Sequence, residues 1–132
     1  MGLSPFSPET AALKSARLMI QEISSNVEKR KSFAFETTLS GLTYIQQIKK
    51  WRSLGYHVSL FFLSLNSPDL AVNRVAQRVK QGGHHIPEEV IRRRFSSGLY
   101  NFEHYYTEIV DTWALYDNSG DQPTLLRWGE NT

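Results

Sequence analysis

A carboxylate and two hydroxyls stand together in Glu36-Thr37-Thr38, with Ser40 and Gly41 just behind them. The run Ser32 to Phe35 ahead of them is made of strand formers, and a helical period starts after them at Leu42. A strand that ends on polar residues and passes into a helix is the junction of an α/β domain. At the carboxyl edge of a parallel sheet such residues face a ligand. The same residues also make an ordinary loop with a helix cap, so the local pattern leaves both readings open.

A second group is basic. Arg74 and Arg78 are four residues apart, so on a helix their side chains leave one face. Beyond them come Gly82-Gly83-His84-His85-Ile86-Pro87 and then Arg92-Arg93-Arg94. From Arg74 to Arg94 there are six Lys or Arg against two acidic residues, a local +4 in a chain whose net charge is +2. Two glycines predict a bent, mobile connection. Arginines on both sides of it suit a lid spanning about residues 78–94 that brings guanidinium groups onto a transferred phosphate. A solvated basic helix is the plain alternative, and for Arg93 the simpler one. A nucleic-acid surface is disfavoured because the arginines are not interleaved with aromatics or glycines. His84 and His85 are adjacent rather than at helical ligand spacing, so no metal site is expected there.

Composition narrows the rest. One domain is expected from 132 residues with 40% apolar content. The absence of cysteine excludes disulfides and thiolate chemistry. No apolar run approaches the ~20 residues that span a bilayer, and the first residues do not read as a signal peptide. A cytoplasmic chain is the expectation.

The elements that must position these groups are legible as periods and caps. Ser7-Pro8-Glu9 starts a helix predicted from Pro8 to about Glu28, with Ala12, Ala16, Met19, Ile20, Ile23 and Val27 on one face. Leu42, Ile45, Ile48 and Trp51 or Leu54 predict the buried face of a second helix that Gly55 stops. His57 to Leu65 reads as an interior parallel strand buried on both sides, joined to the strand at 32–36 in a βαβ unit. Ser67-Pro68-Asp69 starts a third helix with Ala71, Val72, Val75 and Val79 inward, and Pro87 starts a short fourth one. A helix with an aromatic face follows Gly98. Trp113 to Tyr116 and Leu125 to Trp128 predict two strands paired across the turn at Asp117-Asn118-Ser119-Gly120. Asn118 and Ser119 also suit the border of a nucleotide, although the turn needs them without one.

Taken in order, Gly2-Leu3-Ser4-Pro5-Phe6, Phe35-Glu36-Thr37-Thr38-Leu39-Ser40-Gly41, Arg74-Val75 with Arg78-Val79, Gly82-Gly83-His84, Ile86 to Arg93 and Tyr116-Asp117-Asn118-Ser119 resemble the zeta-toxin-like P-loop kinases. The resemblance covers essentially all of residues 1–132. It implies an α/β fold, a three-layer P-loop kinase-like parallel sheet, and transfer of a phosphoryl group from ATP with Mg2+ to a small-molecule acceptor such as a nucleotide sugar. It places Glu36 and Thr38 at the acceptor. It brings Arg78 with Arg92 or Arg93 to the ATP phosphates, with Arg74 as a further candidate there.

The chain departs from that pattern at one point. It contains no Gly-x-x-x-x-Gly-Lys-Ser/Thr, the loop that cradles phosphates and orients magnesium. The expectation is therefore an incomplete fold lacking the amino-terminal strand, phosphate loop and helix, inactive alone. A second expectation is a sheet whose bared edges pair with another copy of the chain. The alternative function is a binding module that keeps the acceptor edge and the basic lid without catalysis.

Overall fold

The computed structural model describes residues 8–131, with side chains from Lys14 onward. The chain forms two compact units, residues 1–36 and 37–132.

In the first unit, α1 (Pro8–Glu28) has the predicted bounds. Ile23 is its buried residue among those described, while Leu18 and Ile20 are exposed. The helix ends in a Schellman stop, Arg30 N–H bonding Val27 O and Lys31 N–H bonding Asn26 O, with Arg30 at φ 56°. Ser32 to Phe35 forms no strand, although the rings of Phe33 and Phe35 lie 6.4 Å apart and nearly parallel. The expected cap Ser7 and the loop before it lie outside the described residues.

The second unit runs α2 (Tyr44–Ser53), β1 (Ser59–Ser64), α3 (Pro68–Lys80), α4 (Glu88–Asn101), a π-helical turn (Phe102–Tyr106), α5 (Thr107–Ile109), β2 (Thr112–Asp117) and β3 (Thr124–Glu130). Local signals account for most boundaries. Ser67 Oγ accepts the Leu70 N–H and caps α3, ahead of Pro68. Gly55 (φ 97°) and Gly82 (φ 98°) take the left-handed position after α2 and α3. In both cases the next residue bonds back, Tyr56 to Trp51 O and Gly83 to Arg78 O. The paired glycines thus close α3 in a hydrogen-bonded stop. The fourth helix is not short: it runs 14 residues and continues into the π turn.

The sheet corrects the expected parallel architecture. It has three strands in the order β1-β2-β3, with β1 parallel to β2 and β3 antiparallel to β2. The hairpin across residues 117–124 was the predicted pairing, and its turn chemistry makes an antiparallel neighbour unavoidable. The expected βαβ unit around α2 does not form, because residues 32–36 contribute no strand and strand-forming side chains need a neighbouring edge to hydrogen-bond. The parallel connection is instead β1 to β2 by way of α3, α4 and the π turn.

Nor is β1 buried on both sides. Its inward residue Phe62 stacks on Phe102 at 4.8 Å, and Phe102 meets Trp113 edge-on at 5.7 Å. On the other side Phe61 and Leu63 are 67% and 53% exposed, as is Trp128 at 67%. The core is Phe102, Tyr106 and Val110, all fully buried, with Ile48, Trp51, Ile91 and Leu115 also buried, while the buried Ala114 lies on the Phe61 face of the sheet. Leu42, expected inward, is 49% exposed. The valines of α3 are half-buried, and none of its residues is fully buried.

The amino edge of the sheet is locked by Asp111. Its carboxylate accepts Val58 N–H at 2.7 Å and Arg52 Nε at 3.1 Å, and Arg52 also donates to Ile109 O. Burial alone would raise this carboxyl, but the Val58 N–H and the Arg52 guanidinium outweigh it and hold the pKa below the ordinary value. A depressed folded-state pKa means stability fully present above the unfolded carboxylate pKa of about 3.9 and lost as pH falls through the lower folded value. Asp111→Asn should therefore cost about 2 kcal/mol at neutral pH. It should also flatten the acid limb of stability against pH, measured by urea unfolding from neutral pH downward. An unchanged acid limb would remove Asp111 from this role.

Candidate functional site

Thr37 to Gly41 forms a polar loop entering α2. Leu39 is 4% exposed and adopts φ 55°, a left-handed conformation that costs a branched, bulky side chain free energy. The loop bonds within itself: Thr38 Oγ1 and Ser40 Oγ are 2.8 Å apart, Leu39 N–H donates to Thr37 Oγ1, and Ser40 N–H to Thr38 Oγ1. Its carbonyls are taken by side chains from α4 and the π turn. Asn101 Nδ2 donates to Leu39 O at 2.9 Å, and Tyr106 Oη donates to Gly41 O at 2.8 Å. Burial pushes the Tyr106 phenol pKa up, which keeps the donor proton in place. Gly98 lies against the same loop: a Cβ on it would stand 2.5 Å from Thr38 O.

Beside the loop is a hollow of about 500 Å³ lined by Ser40, Leu42, Ser96, Ser97, Tyr100 and Asn101. No charged side chain lines it. Tyr100 stacks on His104 at 4.1 Å and presents an exposed ring. The lining offers hydroxyl donors and acceptors with one aromatic face, which suits an uncharged, hydroxyl-bearing group.

The remaining predicted residues fall in separate places. Glu36 is exposed and belongs to the first unit. Arg74 Nη2 donates to Ser119 O at the carboxyl edge of the sheet, next to Asn118, whose own N–H bonds Ser64 O. Ser119 Oγ accepts Asn66 N–H, and Ser119 donates its N–H to Asp117. The Ser119 hydroxyl and N–H hold the Asp117 pKa below the usual carboxylate range. Arg74 and Asn118 are thus brought to one turn, which uses the arginine to brace the backbone.

Arg92 donates to Asp69 at 2.6 Å and to Glu88 at 2.9 Å. Asp69 is in the first turn of α3 and Arg78 in its last, roughly 13 Å apart along the axis at the helical rise. The structure therefore does not gather Arg92 with Arg78. Among the described residues Arg78 and Arg93 are exposed and have no ion-pair partner.

The Zeta toxin family model matches residues 8–123. The chain belongs to the Zeta toxin family. Of its 132 residues the family match leaves out β3, the strand that makes the sheet mixed. An uncharacterized protein of Haemophilus influenzae is 30% identical over 95 residues, which are 72% of this chain and 68% of that relative. No solved structure matches. Family membership supports a kinase-like, phosphotransferase superfamily function. Among the described residues no helix is long and apolar enough to cross a membrane.

Three residues of the site escape a motif reading: Gly98, Asn101 and Tyr106. A signal for one was present. Asn101 is a carboxamide set directly between Tyr100 and Phe102, and a polar group buried beside such residues needs a specific partner.

Proposed function

We propose that this Zeta toxin family chain serves phosphoryl transfer to a hydroxyl of a small molecule, and that the Thr37–Gly41 loop and the hollow beside it receive that acceptor. The observation that supports the reading is the pair of hydroxyls, Thr38 Oγ1 and Ser40 Oγ, 2.8 Å apart on the segment that the family resemblance assigns to the acceptor. Thr38 and Ser40 orient the acceptor through their hydroxyls.

The residues present do not by themselves fit a magnesium ATP site. No group of three carboxylate or imidazole side chains is placed to hold a cation among the described residues. Arg92 is engaged by two carboxylates at the far end of α3 from Arg78, and the sequence has no phosphate-cradling loop with its lysine. No step is assigned through ATP. Arg78 and Arg93 remain exposed cations that would attract a polyphosphate. The engaged state of Arg92 favours the second reading, a binding module that holds the acceptor without turning it over.

The test is an NMR titration of the 132-residue chain with an amino-sugar nucleotide as probe. Saturable amide shifts are expected at 38–41, 96–97 and 100–101, with affinity falling about tenfold in Thr38→Val, the loss of one hydroxyl hydrogen bond. Shifts confined to the arginines of α3 and α4, or none, would remove the acceptor assignment. Incubation with labelled magnesium ATP and the probe should leave the label untransferred. Transfer that disappears in Glu36→Gln would instead make this chain a complete catalyst.

A further inference from the structure

A left-handed Leu39 is unfavourable on its own and persists only where surroundings over-determine it. Here they do so at three points. The Thr38 carbonyl lies against Gly98 with no room for a Cβ, the Leu39 carbonyl accepts from Asn101, and the Gly41 carbonyl accepts from Tyr106.

Asn101 is 8% exposed and Tyr106 fully buried. A buried carboxamide is costly unless bonded, so the side-chain bond to Leu39 O is what secures Asn101 there. None of these three carbonyls enters a strand ladder. The helix therefore does for this loop what a neighbouring strand does for an edge.

We propose that Asn101 and Tyr106 are positioning residues: they hold Leu39 in its left-handed conformation and so keep the Thr38 and Ser40 hydroxyls paired at the rim of the hollow. The acceptor-binding consequence rests on the function proposed above, whereas the holding of the loop does not.

The experiment uses nitrogen-15 relaxation and proton NOE measurements on the full chain, comparing the parent with Asn101→Ala and Tyr106→Phe. In the parent, Leu39 should show the strong intraresidue HN–Hα NOE that a positive φ imposes, and order parameters near about 0.85 at 38–41. In Asn101→Ala the NOE should weaken and the order parameters at 38–41 fall below about 0.6, while those of β1 and β2 stay at parent values. Tyr106→Phe keeps the buried ring and removes the hydroxyl that donates to Gly41 O and accepts the Tyr44 N–H. It should loosen 40–41 in the same way, and it decides the matter if Asn101→Ala does not fold.

Parent-like order and NOE in the folded variants would overturn the proposal. The amino-sugar nucleotide is then titrated into parent and variants. Affinity lower by about tenfold or more in the variants supports the positioning role, since one lost restraint is of that size. Loosened loops with no probe binding by the parent leave the holding of the loop standing and remove the acceptor reading. Loosened loops with unchanged probe affinity would show that the hydroxyls are not what Asn101 and Tyr106 position.

Discussion

Phe102→Ala is expected to destabilise the chain by about 3–5 kcal/mol, the range for emptying a fully buried aromatic site. Phe102 has no exposed surface and fills the space between Phe62 and Trp113, so it joins the helical layer to both parallel strands at once. Neither neighbour can easily follow it. Phe62 is fixed in β1, and the indole of Trp113 lies across Gly129, where an added Cβ would come within 2.6 Å of it. Since small domains are stable by only about 5–15 kcal/mol, a loss of this size would leave a substantial unfolded fraction under mild denaturant. Chemical unfolding followed by tryptophan fluorescence measures it. A cost under about 1 kcal/mol would mean that the aromatic cluster is not what joins the layers.

The second large effect is expected at Gly98→Ala. The methyl group would sit 2.5 Å from the Thr38 carbonyl oxygen, and the obstacle is backbone rather than the end of a flexible chain. Either α4 or the loop must move. Overpacking of this kind costs about 1–3 kcal/mol, and the loop is the cheaper element to displace because its first residues, Thr37 and Thr38, are exposed. The variant should therefore keep its sheet, lose stability in that range, and bind the amino-sugar nucleotide less tightly than its stability loss alone explains. Gly120→Ala is the control, since a Cβ there meets nothing within 4 Å. If the two alanine variants are equally stable and bind equally well, the close approach of α4 to the loop has no energetic weight.

What the sequence told, it told through local chemistry. The bounds of α1, the Ser67 cap, the Gly55 stop and the hairpin from β2 to β3 depend on residues within a few positions of one another, and these stand as read. The strand expected at 32–36 failed for a different reason. Side chains such as Phe33 and Phe35 state a preference for extended backbone, but whether a strand forms depends on a neighbouring edge elsewhere in the chain. The same dependence misled the reading of β1. Phe61 and Leu63 look like interior residues by type, and only the layer that would cover them makes them so.

The parallel sheet rests on the βαβ pattern from 32 to 65 as well as on the resemblance, while the turn at 117–120 already implies an antiparallel partner for β2. At the candidate loop, the hydroxyl of Thr38 is legible by type and spacing. The supports of the loop are not, because Asn101 lies 62 positions from the carbonyl it holds. The lid arginines show the opposite limit. Charge spacing says where guanidinium groups leave a helix but not which carboxylates, here Asp69 and Glu88, claim them first.

The π-helical turn from Phe102 to Tyr106 bears on how two residues of one helix reach one loop. With α spacing, side chains five positions apart diverge by about 140° around the axis. Asn101 and Tyr106 are five apart, so a regular helix would point one of them away from the carbonyls at 39 and 41. Within the widened turn the Thr107 N–H reaches back to Phe102 O, one residue further than an α bond. The extra residue rotates the later part of the helix and returns the phenol toward the side from which the carboxamide projects. The bulge acts as a phase correction, an inserted residue that sets the angular interval between two donors to match the spacing of their two acceptors.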